Sequence, residues 1–97
     1  MRNIKLRFFG SIRAAAKKEE SDYETYPGQT VYDLLKSLSD CYGKTFRDEI
    51  FLQSADLPRD DVVVLINGVT VKHTALGETT AAPGDVITLL PTFPGGG

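Results

Sequence analysis

The 97-residue chain is poor in the groups from which enzymes build active sites. It has one cysteine, Cys41, and one histidine, His73. A single cysteine excludes an internal disulfide and a metal–thiolate cluster, and it fits a reducing compartment. Cys41 falls near the C-terminal end of an expected helix, where the helix dipole does nothing to favour a thiolate. It reads as a small, partly buried filler. His73 falls at the end of an expected hairpin strand, with no serine or cysteine partner implied, and a catalytic histidine needs a nucleophile and an orienting group. It reads as an exposed strand-end residue.

Excess charge is also missing. Eleven Lys and Arg stand against 13 Asp and Glu, a formal net charge of −2. The basic doublet Lys17-Lys18 is followed at once by Glu19-Glu20. No general attraction to nucleic acid or an anionic membrane is expected. No apolar run approaches the roughly 20 residues that span a bilayer. The opening "MRNIKLRFFG" alternates charged and apolar residues and lacks the continuous apolar segment of a secretory signal. A cytoplasmic location is therefore expected. The acidic pairs Asp60-Asp61 and Glu19-Glu20 point in different directions on a strand or sit in solvent on a loop, so a general acid/base pair is not expected. They also lack the alternating ligand spacing of a calcium loop. No phosphate loop is present, and no helix follows the terminal glycines to supply N–H donors.

What is present is one domain's worth of alternating apolar pattern. In "NIKLRFF", Ile4, Leu6 and Phe8 share one strand face, and Lys5, Arg7 and Phe9 share the other. "SIRAAAKKEES" suits either a helical turn or a long hairpin loop, and a more polar strand follows around Tyr23 and Thr25, closed by Pro27-Gly28. Thr30 is a good helix N-cap with Asp33 three residues on, a shortened relative of the capping box. Val31, Leu34, Leu35, Leu38 and Tyr42 then form one helical stripe, stopped by Gly43. A short helix over Phe46 to Leu52 should turn Phe46, Ile50 and Phe51 inward. "VVVLI", Val62 to Ile66, is a continuous apolar run of strand length, expected to be covered on both faces. Asn67-Gly68 is a strong type I′ hairpin signal before the return strand Val69–Lys72, and "VITLL", Val86 to Leu90, is the last strand.

The expected order is β-β-α-(short α)-β-β-β, an α+β fold in which one main helix packs a mixed sheet. If the first and last strands pair in the middle, the arrangement is a β-grasp. Residues 1–91 are expected to form this domain and 92–97 a flexible tail. In that tail, "LPTFPGGG", Pro91 and Pro94 stiffen the approach and Phe93 is a large apolar group with little core left to join. Gly95, Gly96 and Gly97 have no Cβ and can thread a narrow channel. A terminal carboxylate is anionic at neutral pH and is a poor electrophile until activated. A frayed glycine stub remains the bland alternative.

The chain resembles the molybdopterin-synthase small-subunit and thiamine-sulfur-carrier group of ubiquitin-like proteins. The resemblance runs through "IKLRFFGSIR", "TVYDLLKSL", "VVVLINGVTV" and "APGDVITLLP", ending on the terminal diglycine. It implies a β-grasp fold with a five-stranded sheet. It also implies a sulfur carrier that is not an enzyme on its own and binds no cofactor or metal. An E1-like adenylyltransferase would adenylate the C-terminal carboxylate with ATP, and a sulfur donor enzyme would then supply the sulfur of a thiocarboxylate. In the molybdopterin branch the tail delivers that sulfur inside the synthase large subunit. By this resemblance Gly97 is the reactive acyl residue and Gly96 its thin neighbour. Leu90, Pro91 and Phe93 help dock the tail, and Phe9 contributes to the partner surface. Tails of the molybdopterin branch usually end near P-P-V-x-G-G. Here Thr92 stands at the second proline, Phe93 at the valine and Pro94 at the variable position, with a third glycine added. These departures bear on which partner is served. A carrier for thiamine synthesis, a modifier joined to lysines through Gly97, and a plain interaction module are the other readings.

Overall fold

The structure is a computed structural model that describes residues 3–52 and 56–92. Its elements are β1 (Asn3–Phe8), α1 (Gly10–Ala16), β2 (Glu20–Glu24), α2 (Val31–Tyr42), α3 (Lys44–Ile50), β3 (Val62–Ile66), β4 (Val69–Val71), a 3-10 helix (His73–Glu78) and β5 (Val86–Pro91). The strands form a five-stranded sheet in the order β2-β1-β5-β3-β4. β1 and β5 run parallel at the centre, with Leu6 beside Ile87 and Phe8 beside Leu89. β3 lies antiparallel on the other side of β5, with Val64 beside Leu89. This is the expected β-grasp.

Alternation produces the core. Ile4, Leu6 and Phe8 of β1, Ile87 and Leu89 of β5, and Val62 and Val64 of β3 point to one face and are buried. α2 lays Val31, Leu34, Leu35 and Leu38 on that face. Phe46 and Ile50 of α3 close one end, where the Phe8 and Phe46 rings meet edge-on at 5.9 Å. The α2 N-terminus carries a full capping box: the Thr30 hydroxyl accepts from the Asp33 amide at 3.1 Å, and the Asp33 carboxylate accepts from the Thr30 amide at 3.4 Å. Asn67 and Gly68 both have positive φ, 52° and 84°, as the type I′ turn requires.

Of the two readings of the segment after β1 the helical one holds: α1 buries Ile12 and Ala16 and ends where Lys17 turns left-handed. Three expectations change. Phe9 leaves the strand and becomes the N-cap residue of α1. Cys41 is exposed rather than partly buried, because α2 turns it away from the sheet. β3 is not covered on both faces: Val62 and Val64 are buried, whereas Val63 and Leu65 are half-buried. All three longer helices lie on one side, so among the described residues no helix layer covers the opposite side of the sheet. His73 is exposed as expected, but it opens the 3-10 helix.

Candidate functional site

The sheet face that no described helix covers carries an apolar groove of about 710 Å³. Leu65 from β3 and Val86 and Leu90 from β5 form its floor, and Phe9 and Pro91 close one end. Strand geometry dictates this composition. Val86, Thr88 and Leu90 alternate with buried Ile87 and Leu89, so the same strand that fills the core also lines the groove. Phe9 is 43% exposed, unusual for a large aromatic. The Arg7 guanidinium lies 5.6 Å from the Phe9 ring centroid, so the apolar surface has a cationic rim. At the far end the Asn67 side chain donates to the Asp85 carboxylate at 3.0 Å and accepts from the Val86 amide at 2.9 Å. The β3–β4 turn is thereby fastened to the start of β5.

The exit of β5 sits at the near end of the groove and is held on several sides. Pro91 is paired with Val62. Its ring lies over Gly10 so closely that a Cβ on Gly10 would come within 2.8 Å of Pro91 Cγ. Gly10 also has φ 58°, so both its space and its backbone favour glycine. The next residue, Thr92, donates twice to the backbone carbonyl of Asp61, from its amide at 2.7 Å and from its hydroxyl at 3.1 Å. Arg59 grips the Asp61 carboxylate with two N–H groups, Nε at 3.0 Å and Nη2 at 2.7 Å, and donates with Nη1 to the Asp48 carbonyl on α3 at 2.8 Å. The hydrogen bonds from Arg59 hold the Asp61 carboxyl below the usual carboxylate range, and the same pairing raises the Arg59 guanidinium.

Of the residues expected to act, Phe9, Leu90 and Pro91 are brought together in this groove. Phe93, Gly95, Gly96 and Gly97 lie outside the described residues. Sequence reasoning missed Leu65 and Val86, which it placed in strands without asking which side was open. It also missed Gly10, Asp61 and the tethering role of Thr92. Among the described residues no group of three or more His, Cys, Asp or Glu could hold a metal ion. Nor is any described helix long and apolar enough to cross a membrane. Among the described residues the site presents an apolar surface and the end of β5.

A single helix stripe across a sheet whose first and last strands are central neighbours defines the ubiquitin-like class of proteins. The profile of the ThiS family matches residues 6–96, and the chain belongs to that family, a group of ubiquitin-like sulfur carriers and modifiers. Solved structures agree. Small archaeal modifier protein 1 of Haloferax volcanii superposes with a TM-score of 0.81 at 22% identity, covering 96% of this chain and 100% of that one. The protein of the same name from Methanosarcina acetivorans gives 0.78 at 29% identity, over 99% and 98%. A putative molybdopterin converting factor, subunit 1, from Pyrococcus furiosus gives 0.73 at 24%, over 96% and 100%. No curated protein sequence matches the chain significantly.

Proposed function

We propose that the protein carries sulfur as a thiocarboxylate on Gly97 and serves as the small subunit of a molybdopterin synthase. The observation that supports this most is the juxtaposition of the open apolar groove with the exit of β5. Phe9, Leu90 and Pro91 offer a docking surface, and β5 ends beside it at Pro91. A partner seated on the groove would lie next to the end of the strand that precedes the glycines in sequence. Membership of the ThiS family and the likeness to a converting-factor subunit add to this reading.

In the proposed cycle an E1-like adenylyltransferase binds the sheet face. The Gly97 carboxylate attacks the α-phosphorus of ATP, and pyrophosphate leaves. Sulfide, the form in which a donor enzyme would have to release the sulfur, then attacks the acyl carbon; a C–S bond forms, the acyl–phosphate bond breaks, AMP leaves, and the thiocarboxylate remains on Gly97. The role of the chain's own residues is recognition and positioning. Gly95 and Gly96 give a backbone narrow enough for a tight channel, and the apolar Phe93 would serve as an anchor on the partner. The thiocarboxylate is then presented to the synthase large subunit, where sulfur passes to the pterin.

The test is intact mass spectrometry of the full chain after incubation with its activating enzyme, ATP and sulfide. Replacement of one oxygen by sulfur, localised to the C-terminal peptide, is the expected result. An unchanged mass, together with cofactor synthesis that survives removal of Gly96 and Gly97, would sink the proposal. A second reading, a protein modifier, is favoured by the likeness to proteins named as small archaeal modifiers. It needs the same activated carboxylate and is separated by one observation: a diglycine remnant in isopeptide linkage on lysines of other proteins.

A further inference from the structure

We propose that Thr92, its acceptor Asp61 and the brace Arg59 form a positioning clamp. It sets the direction in which residues 93–97 leave the domain and so aligns the chain end in the activating enzyme; this rests on the carrier reading above.

Each contact at the exit constrains a different freedom. Pairing of Pro91 with Val62 fixes the strand register. The Pro91 ring against Gly10 fixes its height over the start of α1. The two bonds from Thr92 to the Asp61 carbonyl, at 2.7 and 3.1 Å, fix the first step beyond the strand. Proline at position 92 could donate neither bond. The acceptor is itself immobilised. Asp61 is held by two N–H groups of Arg59, whose third reaches the Asp48 carbonyl on α3. The Arg59 amide also donates to the Ile50 carbonyl at 2.8 Å. The loop before β3 therefore cannot swing without breaking from α3. Ordering one residue's backbone in advance is worth on the order of tenfold in an equilibrium. That advantage acts on alignment of the chain end, because the groove supplies the docking surface. It should therefore appear in kcat rather than in KM for the carrier.

The experiment uses the full-length protein and four variants. Thr92→Val removes the hydroxyl donor, Thr92→Ser keeps it, Thr92→Pro removes both donors, and Arg59→Met removes the brace. Thr92 is exposed and follows the last strand, so its valine variant keeps the fold. With the activating enzyme and ATP, kcat for ATP–pyrophosphate exchange should fall about threefold to fivefold in Thr92→Val and further in Thr92→Pro. KM for the carrier should stay within about twofold, and Thr92→Ser should match the wild type. Amide exchange at Thr92, read by NMR without any enzyme, should quicken in Arg59→Met. Equal kcat in Thr92→Val, a loss confined to KM, or an unchanged Thr92 amide in Arg59→Met would each overturn the clamp. If the wild type is not adenylated at all, the carrier reading falls and takes this inference with it. A wild type that is adenylated, with Thr92→Val and Thr92→Pro adenylated equally well, overturns the inference alone.

Discussion

β5 has two faces that do opposite things with similar residues. Ile87 and Leu89 are fully buried under α2 and its neighbours, whereas Val86 and Leu90, one residue away, stand half-open in the groove. Both sets are aliphatic, so hydrophobicity alone does not say which face makes the fold. Coverage does. The helices occupy one side, and on the other no described element covers the same chemistry. Under the proposed docking role a central strand would serve stability and recognition at once, because its side chains alternate while its backbone stays locked between β1 and β3.

Substitutions on the two faces should separate these roles. The largest effect is expected for Leu89→Ala, a loss of about 2–5 kcal/mol in chemical denaturation, as for any well-packed buried leucine. Leu34→Ala on α2 should fall in the same range. Next is Gly10→Ala, which places a methyl group against the Pro91 ring and strains a left-handed backbone; a loss of about 1–3 kcal/mol is expected. On the open face, Phe9→Ala should leave the denaturation midpoint almost unchanged. It should weaken binding to the activating enzyme about tenfold, measured by calorimetry. A Phe9→Ala chain that unfolds would mean the groove belongs to the core. Removing Phe93 bears on the same division: Phe93→Ala should weaken docking without loss of fold.

The smallest effect concerns acid. In the folded chain the Arg59 hydrogen bonds lower the Asp61 pKa, so ionised Asp61 favours the fold. That contribution is complete above the ordinary carboxylate value of about 4 and is lost as pH falls through the lowered folded value. Wild type and Arg59→Met should therefore differ in urea midpoint at neutral pH and converge in strong acid. A difference that persists would place the role of Arg59 in packing instead.

Much of the fold was legible because its signals are local. Thr30 with Asp33, and Asn67 with Gly68, specify a cap and a turn through their own chemistry. Ile4, Leu6 and Phe8 declare a face by alternation. The rest depends on what lies across space. "VVVLI" reads the same whether its second face is covered or open, which is why both faces were expected to be covered; β3 does lie inside the sheet, between β5 and β4, but Leu65 is only half-buried. Cys41 could be read either way because only the rotation of α2 decides it. The tether from Thr92 has no signature at all, since its acceptor is a backbone carbonyl that any residue could provide. Position 92 stood out in the sequence only as a missing proline.

The anchor points of the β5 exit have a consequence for folding. Gly10 belongs to the first helix and Asp61 to the entry of β3, 31 residues before Thr92. No short fragment contains all three. Bringing them together requires closing most of the chain into a loop, a late and entropically demanding event. Under the proposed clamp, the contacts of Thr92 would therefore report on the completed domain. A partly folded chain would lack them, and an enzyme that needs them would pass it over. The clamp would then act as a proofreading step, admitting only finished molecules.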